Sequence, residues 1–310
     1  MKLARAARKF LKIVVSLGLM VLILSRVDLQ KGTQLVRHSE VLYWILAILI
    51  TFLAVVISAY KWQLILLSQG FHIPMPSLIS FYLVGLFFNN FLPTSIGGDA
   101  VRVYDVSKFT GRTPEAIASV VAERVLASVS LGFIALIGVF ISYRAAAQFL
   151  SWVVALFVLS VGLLILFLNT HLVERFLNRA RLLNFFDLKQ KLVEAGRALQ
   201  APLRNQNTFI SVLLLSLVFQ ILVVAVNLAV LGALDIRVSA VYPFIFVPII
   251  SALSLLPISI NGLGIREGGY IYFFSQVGVS TTQAVATSLG FFFAVTLVSL
   301  MGGVILAFRK

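Results

Sequence analysis

Residues 92–102 read LPTSIGGDAVR and residues 256–266 read LPISINGLGIR, identical at six of eleven positions and offset by 164. A second pair of blocks follows in the same order: Thr113–Ser119, TPEAIAS, parallels Thr281–Thr287, TTQAVAT, at an offset of 168. Each of the first blocks closes an apolar stretch, Leu78–Leu92 or Val241–Leu256, that falls short of the about 20 residues a bilayer crossing requires. Pro93 and Pro257 cannot continue the hydrogen bonding of the helix before them, Ser95 adds a small hydroxyl, and Gly98 and Gly262 tolerate a tight backbone before a helix restarts. Non-helical backbone at membrane depth survives only where protein or a watery cavity surrounds it. The pattern predicts two re-entrant hairpins, near residues 78–104 and 241–276, in two units of one plan: helix, helix, re-entrant hairpin, helix.

The rest of the composition fits that frame. The 310 residues are 60% hydrophobic and 12% charged, with a mean hydropathy of +1.04. A soluble domain is nearer half apolar and a quarter charged. The expected fold is therefore an all-α, polytopic membrane protein. The chain has no cysteine, which removes disulfides, thiolate nucleophiles and Cys-based metal sites. His38, His72 and His171 show no ligand spacing, and no phosphate-cradling Walker loop is present. Gly262, Gly264 and Gly268 lack both the spacing and the βαβ surroundings of a dinucleotide loop. No cofactor, metal or nucleic acid is expected, and the formal charge of +14 is assigned to cytoplasmic loops.

Full spans are expected at Val41–Leu67, Ala116–Ile141, Phe149–Leu168, Phe209–Leu231 and Ala284–Phe308, with an uncleaved first helix at Ile13–Leu24 after a basic start. Gly268–Phe274 is too short to cross alone. With both hairpins re-entrant and the N-terminus cytoplasmic, 17 basic residues fall inside and 5 outside. A full crossing at Leu78–Leu92 would instead turn the most basic loop outward, against the positive-inside rule. Both termini are thus expected on the cytoplasmic side of the cytoplasmic membrane. The repeats are 1–148 and 149–310, the second carrying a linker at 170–207 in which Leu172, Val173, Phe176, Leu177 and Ala180 recur at helical spacing, as in an amphipathic helix on the inner leaflet. The first hairpin then enters from inside and the second from outside, the architecture of many secondary transporters.

Ionisable residues inside the spans are costly and usually face a polar interior. Arg102 and Arg266 stand about one turn beyond the two tips, where restarted helices aim free N–H groups at the midplane and favour an anion. Asp99 is expected to cap the first restarted helix, and Glu267 is expected to act structurally beside Arg266. Glu123 and Arg124 lie roughly 15 Å deep in their helix; their counterparts in the second repeat are Phe291 and Phe292, so the symmetry is broken where charge is placed. Three roles are open for Glu123: a counter-ion for Arg102 or Arg266, a titrating group coupled to transport, or a structural ion pair. Lys61, near the inner end of its helix, is expected to snorkel to the interface. No nucleophile, base and oxyanion donor come together in the pattern, so no catalysis is expected.

Three stretches, FLPTSIGGDAVRVY at 91–104, ERVLASVSLG at 123–132 and LPISINGLGIREGG at 256–269, resemble the flippase-like family that shares its membrane region with lysylphosphatidylglycerol synthases. The resemblance runs over nearly the whole chain and implies lipid translocation or association. It implies functional roles for Pro93, Gly97, Gly98, Asp99 and Arg102, for Glu123 and Arg124, and for Gly262, Gly264, Arg266 and Glu267. Asn261 departs from the family's glycine. The synthases' aminoacyl-transferase region has no counterpart in residues 1–310, so lipid aminoacylation is not expected. The reading that follows is movement between leaflets of a lipid with an anionic or phosphate-bearing head, held between the tips by Pro93, Ser95, Gly98, Asp99, Arg102, Glu123, Arg124, Pro257, Asn261, Gly262, Arg266 and Glu267. Two alternatives stay open from sequence: an ion-coupled transporter of a small soluble anion, and a membrane enzyme or accessory subunit of lipid-linked glycan synthesis.

Overall fold

The computed structural model describes residues 27–91, 97–141, 147–169, 194, 196, 198–255 and 261–309. Every element among them is helical. In chain order they are α1 (Leu29–Arg37), α2 (Val41–Ser68), α3 (Met75–Phe91), α4 (Gly97–Thr110), α5 (Thr113–Ile141), α6 (Leu150–Leu168) after a short 3₁₀ turn, α7 (Gln200–Arg204), α8 (Gln206–Ala233), α9 (Val241–Ser254), α10 (Ile265–Ser275) and α11 (Thr281–Phe308). The expected first helix at 13–24, the tips with Pro93, Ser95 and Pro257, and most of the linker lie outside the described residues.

Among the described residues, five helices are long and apolar enough to cross a membrane: α2, α5, the Ala147–Leu168 segment containing α6, α8 and α11. They match the five expected spans to within a few residues, because a run of more than 20 apolar residues has no other way to satisfy its backbone in lipid. α5 is the central one. Its apolar stretch is 56% buried inside the protein, against 22–28% for the other four, whose large side chains (Leu42, Leu49, Leu159, Ile165, Leu214) point outward. By rise per residue, α3 reaches about 26 Å, α4 and α9 about 21 Å and α10 about 16 Å, all under the roughly 30 Å hydrocarbon thickness.

Small residues set how closely these short helices approach their neighbours. At Gly98 of α4 an added Cβ would stand 2.0 Å from the carbonyl oxygen of Gly85 in α3, and at Gly302 of α11 one would stand 2.1 Å from that of Leu83. Helix association in lipid gains from such backbone proximity, since apolar burial drives it little there. Apolar packing then divides by location. Trp62, Leu66, Leu78, Val106 and Ala116 join α2, α3, α4 and α5; Phe149, Phe246, Phe273 and Phe274 join the α6, α9 and α10 region in an edge-to-face aromatic cluster.

Contacts between loops fix which ends lie together. Glu40 N–H donates to Ala233 O (3.0 Å) and Asp28 N–H to Thr282 Oγ1 (3.2 Å), gathering the starts of α2 and α11 with the end of α8. Elsewhere, Gln63 Nε2 donates to Ile73 O (3.0 Å), Ser107 Oγ meets Thr113 Oγ1 (2.6 Å), and Arg309 pairs with Asp105 (2.8 Å). Those contacts gather the end of α2, the start of α3, the end of α4, the start of α5 and the end of α11. Between the expected first helix and α2, where no element was expected, Leu29–Arg37 form α1, whose start is capped by the Asp28 carboxylate accepting from Lys31 N–H at 3.1 Å. At the far end of the linker, Leu199 and Leu203 are buried against α2 and α5.

Candidate functional site

α4 carries Arg102 inward, one turn past Gly98. Its guanidinium is 3% exposed and lies between two rings, 4.1 Å from the Trp62 centroid and 4.3 Å from that of Tyr82. Desolvated cation–π contacts contribute about 2 kcal/mol each. Trp62 is held in turn by donating from Nε1 to Ser119 Oγ at 3.0 Å. Arg102 Nη2 makes a short ion pair with Glu123 Oε2 on α5. The other carboxylate oxygen, Glu123 Oε1, accepts from Tyr82 OH at 3.3 Å and lies 3.3 Å from Lys61 Nζ. Among the three roles open for Glu123, the geometry gives it that of counter-ion to Arg102, shared with a second cation.

Lys61 corrects the sequence reading. It does not snorkel: the side chain is 1% exposed, facing Glu123 on one side and the Phe219 ring 4.7 Å away on the other. Asp99 is corrected as well. Helix α4 begins at Gly97, so Asp99 lies within its first turn, and its carboxylate is spent on Arg124, at 2.9 and 3.0 Å, and more distantly on Arg102 at 3.5 Å. The backbone N–H of Gly98 finds its acceptor in Asn89 Oδ1 instead, at 2.8 Å. The resulting network ties α2, α3, α4 and α5 together.

The second of the two matched motifs is built differently. Asn261, Gly262 and Gly264 all have positive φ, of 47°, 74° and 84°. Asparagine is the non-glycine residue best suited to that region, which is how Asn261 adopts it without being glycine. α10 starts after Gly264, whose N–H donates to Glu267 Oε2 at 2.6 Å, a side chain reaching back to close the helix end. Glu267 Oε1 accepts from Arg266 at 3.0 and 2.6 Å and from Ser288 Oγ at 3.1 Å. Glu267 thus pairs with Arg266 and closes the helix end. The Arg266 guanidinium lies 4.7 Å over Phe292, which the 168-residue sequence offset aligns with Arg124.

Both halves face one cavity of about 350 Å³, at the small end of the size range of ligand pockets. Arg102, Arg124, Asp99, Asn261 and Arg266 line it, as do Asn89, Asn90, Gln220 and Tyr270, which sequence reasoning missed. Glu123 and Glu267 do not line it; they stand behind the arginines. Gly98 sits at the helix crossing and Gly262 in the loop before α10, shaping backbone. Asn90 bridges the halves by accepting from Asn261 Nδ2 (3.3 Å) and donating to Ser299 Oγ (2.8 Å). Tyr270 OH donates to Asn227 Oδ1 in a short hydrogen bond across to α8. A signal existed for the missed residues: Asn89, Asn90, Gln220 and Asn227 interrupt otherwise apolar runs. Among the described residues no group of three His, Asp or Glu side chains comes together.

Among the described residues, five long apolar helices around a buried ionic network and a cavity lined by three arginines define a multi-pass membrane protein. The chain belongs to the family of the lysylphosphatidylglycerol synthase transmembrane region, whose model matches residues 9–303. It is similar to a UPF0104 membrane protein of Methanothermobacter thermautotrophicus, 24% identical over 93% of this chain and 91% of that protein. It is also similar to UPF0104 membrane protein PH1989 of Pyrococcus horikoshii, at 27% identity over 38% of this chain and 36% of that one. The match to UPF0104 membrane protein MJ1595 of Methanocaldococcus jannaschii is 31% identical over 37% and 34%. The chain therefore spans about a third of the length of the Pyrococcus and Methanocaldococcus relatives in those matches.

Proposed function

We propose that this protein carries a membrane lipid with an anionic, phosphate-bearing head between leaflets, the head seated in the cavity and the tails left in the bilayer. The observation that carries the reading is the convergence of Arg102, Arg124 and Arg266, from both halves of the chain, on one cavity inside an apolar bundle. Guanidinium groups offer planar, bidentate donors matched to phosphate oxygens. On this reading α3–α4 and α9–α10 are re-entrant hairpins of an inverted repeat, and both termini are cytoplasmic. The short lengths of the four helices support it, as do the loop contacts that put the base of α3–α4 beside the end of α11. The chain acts as a transporter with no covalent chemistry of its own, and rocking of one repeat against the other would expose the cavity alternately.

Two experiments test this. In reconstituted vesicles carrying tail-labelled phosphatidylglycerol, the protein should accelerate exchange of label between leaflets, and Arg102→Ala should remove most of that acceleration. Equal exchange with and without protein overturns the reading; turnover of a lipid in detergent, where no leaflet exists, would replace it with an enzyme. For topology, single cysteines at the exposed positions Lys108 and Gln276 of this cysteine-free chain should react with an impermeant reagent from opposite faces. Reaction of both from one face overturns the inverted repeat.

A further inference from the structure

We infer that Lys61 supplies the one positive charge of the site left unmatched among the described residues and thereby selects a head carrying a single net negative charge. The inference rests on the lipid reading above and deepens it. Around the first-repeat arginine, three cations (Lys61, Arg102 and Arg124) share two carboxylates, Asp99 and Glu123. In the second repeat Arg266 and Glu267 balance each other. The tip segments 92–96 and 256–260 contain no ionisable residue, so they leave this balance unchanged. An unmatched charge in a water-poor interior is costly and is relieved when an anion enters.

Lys61 does not touch the cavity, so it acts through Glu123. The carboxylate is divided: Oε1 faces Lys61 and Tyr82, Oε2 faces Arg102. Arg102 lines the cavity, and its buried Nε has no hydrogen-bond partner among the described residues. An incoming phosphate oxygen can therefore draw on Arg102 while Lys61 keeps Glu123 compensated. Without Lys61, Arg102 becomes Glu123's remaining cation and is held back from the ligand. Lys61 is thus a positioning residue, and the lipid class it favours is a phosphodiester of charge minus one. A zwitterionic head leaves the excess unrelieved, and a doubly charged phosphomonoester overshoots it.

The full chain, purified in micelles doped with equal amounts of phosphatidylglycerol, phosphatidylethanolamine and phosphatidic acid, is assayed by native mass spectrometry for retained lipid. Wild type should enrich phosphatidylglycerol over phosphatidylethanolamine about tenfold, the scale of one charge-assisted hydrogen bond. Lys61→Met should bring that ratio near one, while Lys61→Arg keeps it. Glu123→Gln, which adds a second unmatched charge, should shift retention toward phosphatidic acid. The double variant Lys61→Met/Glu123→Gln restores a single excess charge and should regain selectivity for phosphatidylglycerol, a rescue that a packing role for Lys61 does not produce. If Lys61→Met yields no folded protein, the Glu123→Gln shift and the double-variant rescue decide, and the absence of either overturns the inference. A wild-type ratio in Lys61→Met overturns it too, while the lipid reading stands. No anionic enrichment in wild type overturns the lipid reading itself, and this inference with it.

Discussion

Arg102 and Arg266 occupy equivalent positions in matched motifs, yet the protein neutralises them in opposite ways. Arg266 takes its counter-ion from the next residue, Glu267, with Ser288 of α11 as the further contact. Arg102 takes its own from 21 residues away on another helix, and that carboxylate is shared with Lys61 of a third. One arrangement is local; the other couples three helices and brings two cations to one carboxylate. Matched motifs can thus anchor an arginine within one turn or across helices, the difference lying in where the carboxylate stands and how many cations it serves.

The sharpest way to break this comparison is to remove each carboxylate. Glu123→Ala strands two buried cations and should cost about 3–5 kcal/mol of stability, read as a large loss of thermal stability in detergent. Gly98→Ala forces α3 and α4 apart against a backbone oxygen and should cost about 3 kcal/mol, the upper range for overpacking; a thermal midpoint unchanged from wild type would refute the tight crossing at Gly85. Glu267→Ala should cost less, about 2 kcal/mol, because the freed Arg266 already lines a cavity with amide partners such as Asn90 and Gln220, though the helix end loses its closing acceptor. The same variant should retain more anionic lipid than wild type, since a second cation becomes available; a decrease would show that Arg266 needs Glu267 to be held in place. Asn261→Gly is the mildest. It relieves a left-handed backbone and loses the contact to Asn90, so its net effect should stay within about 1 kcal/mol, and a larger loss would mark the Asn90–Asn261 bridge as a main tie between the halves.

How much of this was legible beforehand follows from how far each interaction reaches along the chain. The five spans could be read directly, since α2 was expected at 41–67 and runs 41–68, and α8 was expected at 209–231 and runs 206–233. Apolar length is a property of consecutive residues, and lipid permits helix as its one open-chain solution. The Arg266–Glu267 pair and the positive-φ glycines at 262 and 264 were equally accessible, because each belongs to a single turn of backbone. Glu123 could be singled out as a misplaced charge, but not assigned a partner.

The sequence by itself thus determined the long apolar spans and which charges lie within them. Tertiary structure alone decided who pairs with whom: that Lys61 turns inward to Glu123, that Asp99 serves Arg124 instead of the helix end, and that the carboxylates stand behind the cavity wall while the arginines form it. Charge in a low-dielectric interior is stabilised by its nearest opposite neighbour, and that neighbour is set by how helices cross, at contacts such as Gly85 on Gly98, and not by spacing along the chain.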